Sequence, residues 1–142
     1  HSMGGWVVAH TAAADSGLIG AVMISAGDMG RLGSVPREAL VALMADDMES
    51  LAGVTAESMA EEIRTNAKAF GFGNTSEGLS RLPLLVLTSD DGYAPVANAL
   101  VKAIEVNGGK KATSLHVATD HSWSDRRIRL ESEILKWLAD LR

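Results

Sequence analysis

Leu82-Pro83-Leu84-Leu85-Val86-Leu87-Thr88 decides the class of the fold. The run is continuously apolar and of strand length, and Ser89-Asp90-Asp91-Gly92-Tyr93 follows it as a turn. A strand with one wetted face alternates apolar and polar residues. A strand apolar on both faces is covered on both, as a parallel strand between layers of helices is.

One further run shares this character. Leu18-Ile19-Gly20-Ala21-Val22-Met23-Ile24-Ser25 is short and apolar and leads into the loop Ala26-Gly27-Asp28, and Ala112 to Ala118 reads as a third strand. The intervening segments read as helices. Gly4 to Ala14 is small and apolar, suited to close packing on a sheet, and Asp15-Ser16-Gly17 is expected to end it at a glycine C-cap. Pro36 fits a helix first turn with Ser34 as N-cap, and Leu40, Leu43 and Met44 then share a face. Another helix starts at Thr55, carries Glu57, Glu61 and Glu62 in its first turns and runs toward Phe70. Ala94-Pro95 opens a helix to about Val106, ended by Asn107-Gly108-Gly109. Asp125 begins the last, with Leu130, Ile134, Trp137 and Leu141 along one stripe. Helices alternating with three strands predict an α/β domain whose parallel strands are joined by right-handed crossovers. Three strands are few for such a sheet, and one edge is expected to be bare.

The 142 residues have the length of one ordinary domain, and 46% hydrophobic residues are ample for a core. A net charge of −5 argues against nucleic acid or an anionic membrane as partner, since both require a basic face. There is no cysteine, hence no disulfide framework and no thiolate chemistry; a cytoplasmic setting is permitted. No apolar run approaches the roughly 18 residues of a spanning helix.

The chain opens His1-Ser2-Met3-Gly4-Gly5, which reads as x-S-x-G-G: a nucleophile elbow, G-x-S-x-G, without its first glycine. Such a turn holds a serine at a sharp strand-to-helix corner, with its hydroxyl projecting above a parallel sheet and the helix N-terminus pointing at it. Asp91, in the turn after the central strand, and His121, in Thr119-Asp120-His121-Ser122-Trp123-Ser124 after the last strand, complete the order Ser…Asp…His. Asp90 competes with Asp91 for the acid role. His10 reads as a packed or surface residue, and His116, between Leu115 and Val117, points away from their side. No H-x-x-x-H or His/Cys cluster signals a metal, and Gly108-Gly109-Lys110 lacks the spaced pattern of a phosphate loop, so neither metal nor cofactor is expected.

Together the elbow, the stretch Leu87-Thr88-Ser89-Asp90-Asp91-Gly92-Tyr93-Ala94-Pro95 and the loop Thr119 to Asp125 resemble the α/β-hydrolase superfamily. The resemblance spans the whole chain but corresponds to the C-terminal half of such a domain, with parallel strands, flanking helices and residues 27–81 where the family commonly inserts a helical cap. It implies that Ser2 attacks an acyl carbon, that His121 shuttles the proton, that Asp91 orients His121, and that the Met3 N–H is one oxyanion donor. No cofactor is implied. In the insertion, Met44 and Met48 are expected either to fill a helical core or to line a substrate pocket. Trp123 either lines the pocket or packs under the histidine loop.

The implied activity is hydrolysis of a small-molecule carboxylic ester through an acyl-serine. One alternative is a peptidase of the prolyl-oligopeptidase-like kind. The other is a non-catalytic truncated fragment or self-associating module. The strand that precedes the elbow in the family, the upstream half and the loop of the second oxyanion donor have no counterpart, so the serine is expected to lack an anchored corner. A longer parent enzyme, a separate N-terminal partner chain and a homo-oligomer formed through the open sheet edge each account for this.

Overall fold

The computed structural model describes residues 1–46 and 48–141. In chain order its elements are α1 (Met3–Ala14), β1 (Ala21–Ile24), α2 (Met29–Leu32), α3 (Arg37–Ala45), a 3-10 turn (Met48–Ser50), α4 (Ala56–Phe70), a 3-10 turn (Phe72–Thr75), α5 (Ser76–Leu79), β2 (Leu84–Thr88), α6 (Ala94–Val106), β3 (Ala112–His116) and α7 (Arg127–Asp140). The strands form one parallel sheet in the order β1-β2-β3, with Ala21 opposite Leu84 and Leu84 opposite Ala112. The chain is therefore an α/β fold with a three-stranded parallel sheet and flanking helices.

All five residues of β2 are buried, and they divide by the two-residue period of a strand. Leu84 and Val86 pack with Ala9 and Ala12 of α1 and with Ala97, Leu100, Val101 and Ile104 of α6. Leu85 and Leu87 pack on the other face with Trp123 and with Leu130, Ile134 and Trp137 of α7. Each such leucine or valine contributes about 1.5–3 kcal/mol by leaving water. The stripe on the last helix thus covers one face of the strand that the apolar run announced.

The small residues of α1 permit a close approach to β1. A Cβ on Gly5 would lie 2.6 Å from the Cβ of Ala26, in the loop that follows β1. β1 and β3 are shorter than the runs Leu18–Ser25 and Ala112–Ala118, and three helix ends differ from expectation for local reasons. Asp15, extended and with its N–H on the Thr11 carbonyl, ends α1 in place of a glycine cap. Pro36 itself occupies the N-cap of α3 with ψ 140°, so Ser34 does not cap it. The last helix begins at Arg127, after a loop in which Trp123 has φ 57° and the Asp125 carboxylate accepts the Thr119 hydroxyl.

Two compact units result. The larger comprises His1–Gly27 and the chain from Phe72 onward; the smaller is Asp28–Gly71. The smaller has its own core of Leu40, Met44, Ala56, Ala60 and Ile63, against which Met29, Leu32, Met48 and Met59 pack. Its longest helix, α4, starts at a reciprocal cap: the Thr55 hydroxyl accepts the Ser58 N–H, and the Ser58 hydroxyl accepts the Thr55 N–H. Residues 72–81, assigned from the sequence to the same insertion, belong to the larger unit, where Phe72 and Leu79 are buried in the main core. Among the described residues no helix is long and apolar enough to cross a membrane.

The contact at Gly5 predicts a position-specific cost. Gly5→Ala is expected to lower stability by about 1–3 kcal/mol through overpacking. Gly4→Ala, where a Cβ meets nothing within 4 Å, is expected to leave stability unchanged or slightly raised. Urea midpoints of the two variants check the contrast.

Candidate active site

Parallel strands put their carboxyl ends along one edge of the sheet, so the loops after β1, β2 and β3 share that edge. The ladder continues into these loops. The Ser25 N–H donates to the Leu87 carbonyl at 2.8 Å, and the Val117 N–H to the Thr88 carbonyl at 3.0 Å. Ser2 joins them: its N–H donates to the carbonyl of Ile24, the last residue of β1, at 2.9 Å. The start of α1 is thereby held at the same edge as the acidic and histidine loops.

Ser2 has φ 54° and ψ −128°, a sparsely populated conformation for a residue with a side chain, at a cost of order 1–3 kcal/mol. The expectation that the corner is unanchored is corrected by two bonds. One is the Ser2 N–H to Ile24. The other runs from His1 Nε2 to the His121 carbonyl at 2.8 Å, and since a carbonyl only accepts, His1 donates. The His1 and His121 rings lie 4.7 Å apart. Among the described residues this His1 contact ties the serine corner to the histidine loop, and no hydrogen bond joins the Ser2 hydroxyl to the His121 ring. Met3 opens α1, so its N–H lies in the first turn, where no intrahelical acceptor is available.

Asp91 and His121 are directly paired. Asp91 Oδ2 accepts from His121 Nδ1 at 2.8 Å; the carboxylate is 5% exposed and the imidazole 35%. The Asp91 Oδ1 atom accepts the Tyr93 N–H at 2.9 Å, and Oδ2 also accepts the Ser89 hydroxyl at 2.9 Å. Burial pushes the Asp91 carboxyl up, but the Tyr93 N–H, the His121 ring and the Ser89 and Ser25 hydroxyls outweigh it and hold it below the usual aspartate value. With Nδ1–H committed to the carboxylate, neutral His121 keeps its Nε2 lone pair as an acceptor. Tyr93 stands edge-on to the same ring at 5.6 Å.

The neighbouring aspartate engages a different histidine. Asp90 Oδ1 lies 3.1 Å from His116 Nε2, and His116 Nδ1 lies 3.0 Å from the Thr88 hydroxyl. The Asp90 carboxylate only accepts, so His116 donates to it through Nε2, whereas His121 donates to its aspartate through Nδ1. His10 packs its ring on Trp6 at 4.8 Å, away from the pair.

Three side chains considered for a substrate pocket are placed elsewhere. Trp123 is fully buried against Leu85 and Leu87, so it packs beneath the histidine loop and offers no surface to a ligand. Met44 is 3% exposed in the core of the smaller unit, and Met48, partly buried, packs on that core. Conversely, the sequence reading passed over His1, Ser25 and Ser89. Ser25 and Ser89 each directly follow a strand, and that position was the only signal available. Among the described residues no three His, Asp or Glu side chains converge as a metal site.

No family model matches the sequence, and neither a curated protein nor a solved structure was found that matches it.

The Asp91 environment sets an acid limit to stability. A carboxylate whose pKa is depressed by folding stabilises the folded state above the ordinary aspartate value of about 3.9, and that contribution is lost as pH falls through the lower folded value. Asp91→Asn is expected to cost about 1–3 kcal/mol at pH 7. The gap between wild type and variant should narrow as pH falls below the ordinary aspartate value of about 3.9; urea unfolding at pH 7 and at stepwise lower pH checks it.

Proposed function

We propose that this chain carries the catalytic centre of a serine hydrolase of the α/β-hydrolase type that cleaves carboxylic esters through an acyl-serine. The observation that carries the reading is the pairing of a buried, ionised Asp91 with His121 Nδ1 at the same sheet edge as a serine held in a strained corner at a helix N-terminus.

The chemistry follows from the residue types. Ser2 Oγ attacks the ester carbonyl carbon while His121 Nε2 takes its proton, and the carbonyl π electrons move onto oxygen. The oxyanion is stabilised by the Met3 N–H at the positive end of α1. Asp91 stabilises the imidazolium, which returns its proton to the departing alkoxide. Water, deprotonated by His121, then attacks the acyl-serine and releases the acid and Ser2. The Ser2–His121 hydrogen bond that this requires forms on substrate binding, as such bonds often tighten only in the complex. The smaller unit, Asp28–Gly71, occupies the chain position where this family carries its cap.

A fluorophosphonate probe with intact-mass and peptide mapping tests the reading. One adduct on Ser2 is expected. It should be abolished by Ser2→Ala, and its rate reduced by about 10⁴ in Asp91→Asn and comparably in His121→Ala. Asp90→Asn should label at close to the wild-type rate. Absence of an adduct, or one on another serine, overturns the proposal; loss of labelling in Asp90→Asn but not in Asp91→Asn overturns the assignment of the acid.

A further inference from the structure

A hydrogen-bonded chain lies behind Asp91. Trp123 Nε1 donates to Ser25 Oγ at 3.0 Å, Ser25 Oγ and Ser89 Oγ are 2.8 Å apart, and Ser89 Oγ donates to Asp91 Oδ2 at 2.9 Å. Trp123, Ser25 and Ser89 are each at most 1% exposed.

The direction of this chain is fixed by its ends. An indole N–H can only donate, and an ionised carboxylate can only accept. Ser89 spends its single hydrogen on Asp91, so the hydrogen between the two serines comes from Ser25. Each hydroxyl then accepts once and donates once, and all donation runs toward Asp91. Oδ2 receives Ser89 and His121 together, while Oδ1 receives the Tyr93 N–H. Moving the pair's proton from Nδ1 to Oδ2 would forfeit the stabilisation that the Ser89 hydroxyl and the Tyr93 N–H give the ionised carboxylate. The proton of the Asp91–His121 pair is thereby confined to His121 Nδ1.

The backbone is arranged to make this chain. Among the described residues, the non-glycine positions with positive φ are Ser2, Ser25 and Trp123. Two of the three are the Trp123–Ser25 donor pair, and a tryptophan with φ 57° is a rare conformation held only by its surroundings. Ser25 is held by its N–H on Leu87, and Trp123 by its N–H on the Asp120 carbonyl at 3.0 Å.

We infer that Ser25 and Ser89, fed by the Trp123 indole, are positioning residues that hold the Asp91 carboxylate as a fixed acceptor and so set the tautomer and orientation of His121. The catalytic consequence rests on the serine-hydrolase reading; the geometric one does not. The test is therefore built on both readouts. In the full chain, the ¹H–¹⁵N spectrum of the His121 ring is expected to show a protected, downfield Nδ1–H. In Ser89→Ala that hydrogen should exchange with solvent at least tenfold faster. In Ser25→Ala and Trp123→Phe the effect should be progressively smaller, because each leaves the donor next to Asp91 in place. Ser89→Cys, which keeps a weak donor of similar size, should restore part of the protection. Probe labelling of Ser2, or ester turnover, should fall about tenfold in rate in Ser89→Ala with KM little changed.

An unmoved Nδ1–H signal in folded Ser89→Ala overturns the inference even if labelling of Ser2 stands. If Ser89→Ala does not fold, an unmoved signal in both Ser25→Ala and Trp123→Phe does so. The graded loss of protection without any labelling supports the hydrogen-bonded chain and overturns the hydrolase reading instead.

Discussion

A parallel strand hydrogen-bonded on both sides is reached by the chain only through crossovers, and a strand buried on both faces needs those crossovers packed above and below it. β2 imposes both conditions here. Its five buried residues draw α1 and α6 onto one face and α7 onto the other, and its pairing with β1 and β3 aligns three carboxyl ends along one edge. The neighbourhood of Ser2, Asp91 and His121 is a consequence of that alignment. Asp91 and His121, 30 positions apart, and His1 and His121, 120 apart, meet because each lies in a loop after a strand, or beside a residue held on a strand-end carbonyl, in one sheet.

The same edge must bury a charge, and an unpaired buried carboxylate is costly enough that it would take up a proton. Asp91 avoids this with donors of three kinds: a backbone N–H, a hydroxyl and an imidazole. Asp90, one residue earlier, is largely exposed and needs no such support; its partner His116 is itself about half exposed. Two adjacent aspartates thus differ in role because the turn sends one side chain under the sheet edge and the other into water.

The architecture was legible in the sequence wherever one physical pattern dominated. The apolar run Leu82–Thr88, the stripe on the last helix and the helix start at Thr55 each correspond to an observed element. Chain order and strand-end position brought Asp91 and His121 to attention, and they are in contact. Less legible was anything decided by backbone conformation. Ser25 and Trp123 adopt positive φ that their residue types disfavour, so no propensity argument finds them. Nor does Gly17 look different from a C-capping glycine until Asp15 is seen to end α1 in an extended conformation. Met44 and Met48 lie in or against the smaller unit's core because an apolar side chain on a helical unit serves a core first, and that unit has a core of its own to fill.

Strain and hydrogen bonding at this edge are two aspects of one arrangement. A serine at φ 54° survives only if its N–H is held, and the Ile24 carbonyl holds it because β1 ends there. The very next residue, Ser25, turns to φ 46°, which aims its hydroxyl at Ser89 and lets it accept the Trp123 indole N–H. Trp123 in turn is bent to φ 57° by a loop that also presents the His121 carbonyl to His1, the residue before Ser2. The three disfavoured conformations therefore form a closed circuit of contacts around the Asp91–His121 pair. Unfavourable backbone energy of this kind persists only where packing over-determines it. Here the over-determination comes from β2, whose buried face carries Trp123 and whose last residues carry Ser89 and Asp91.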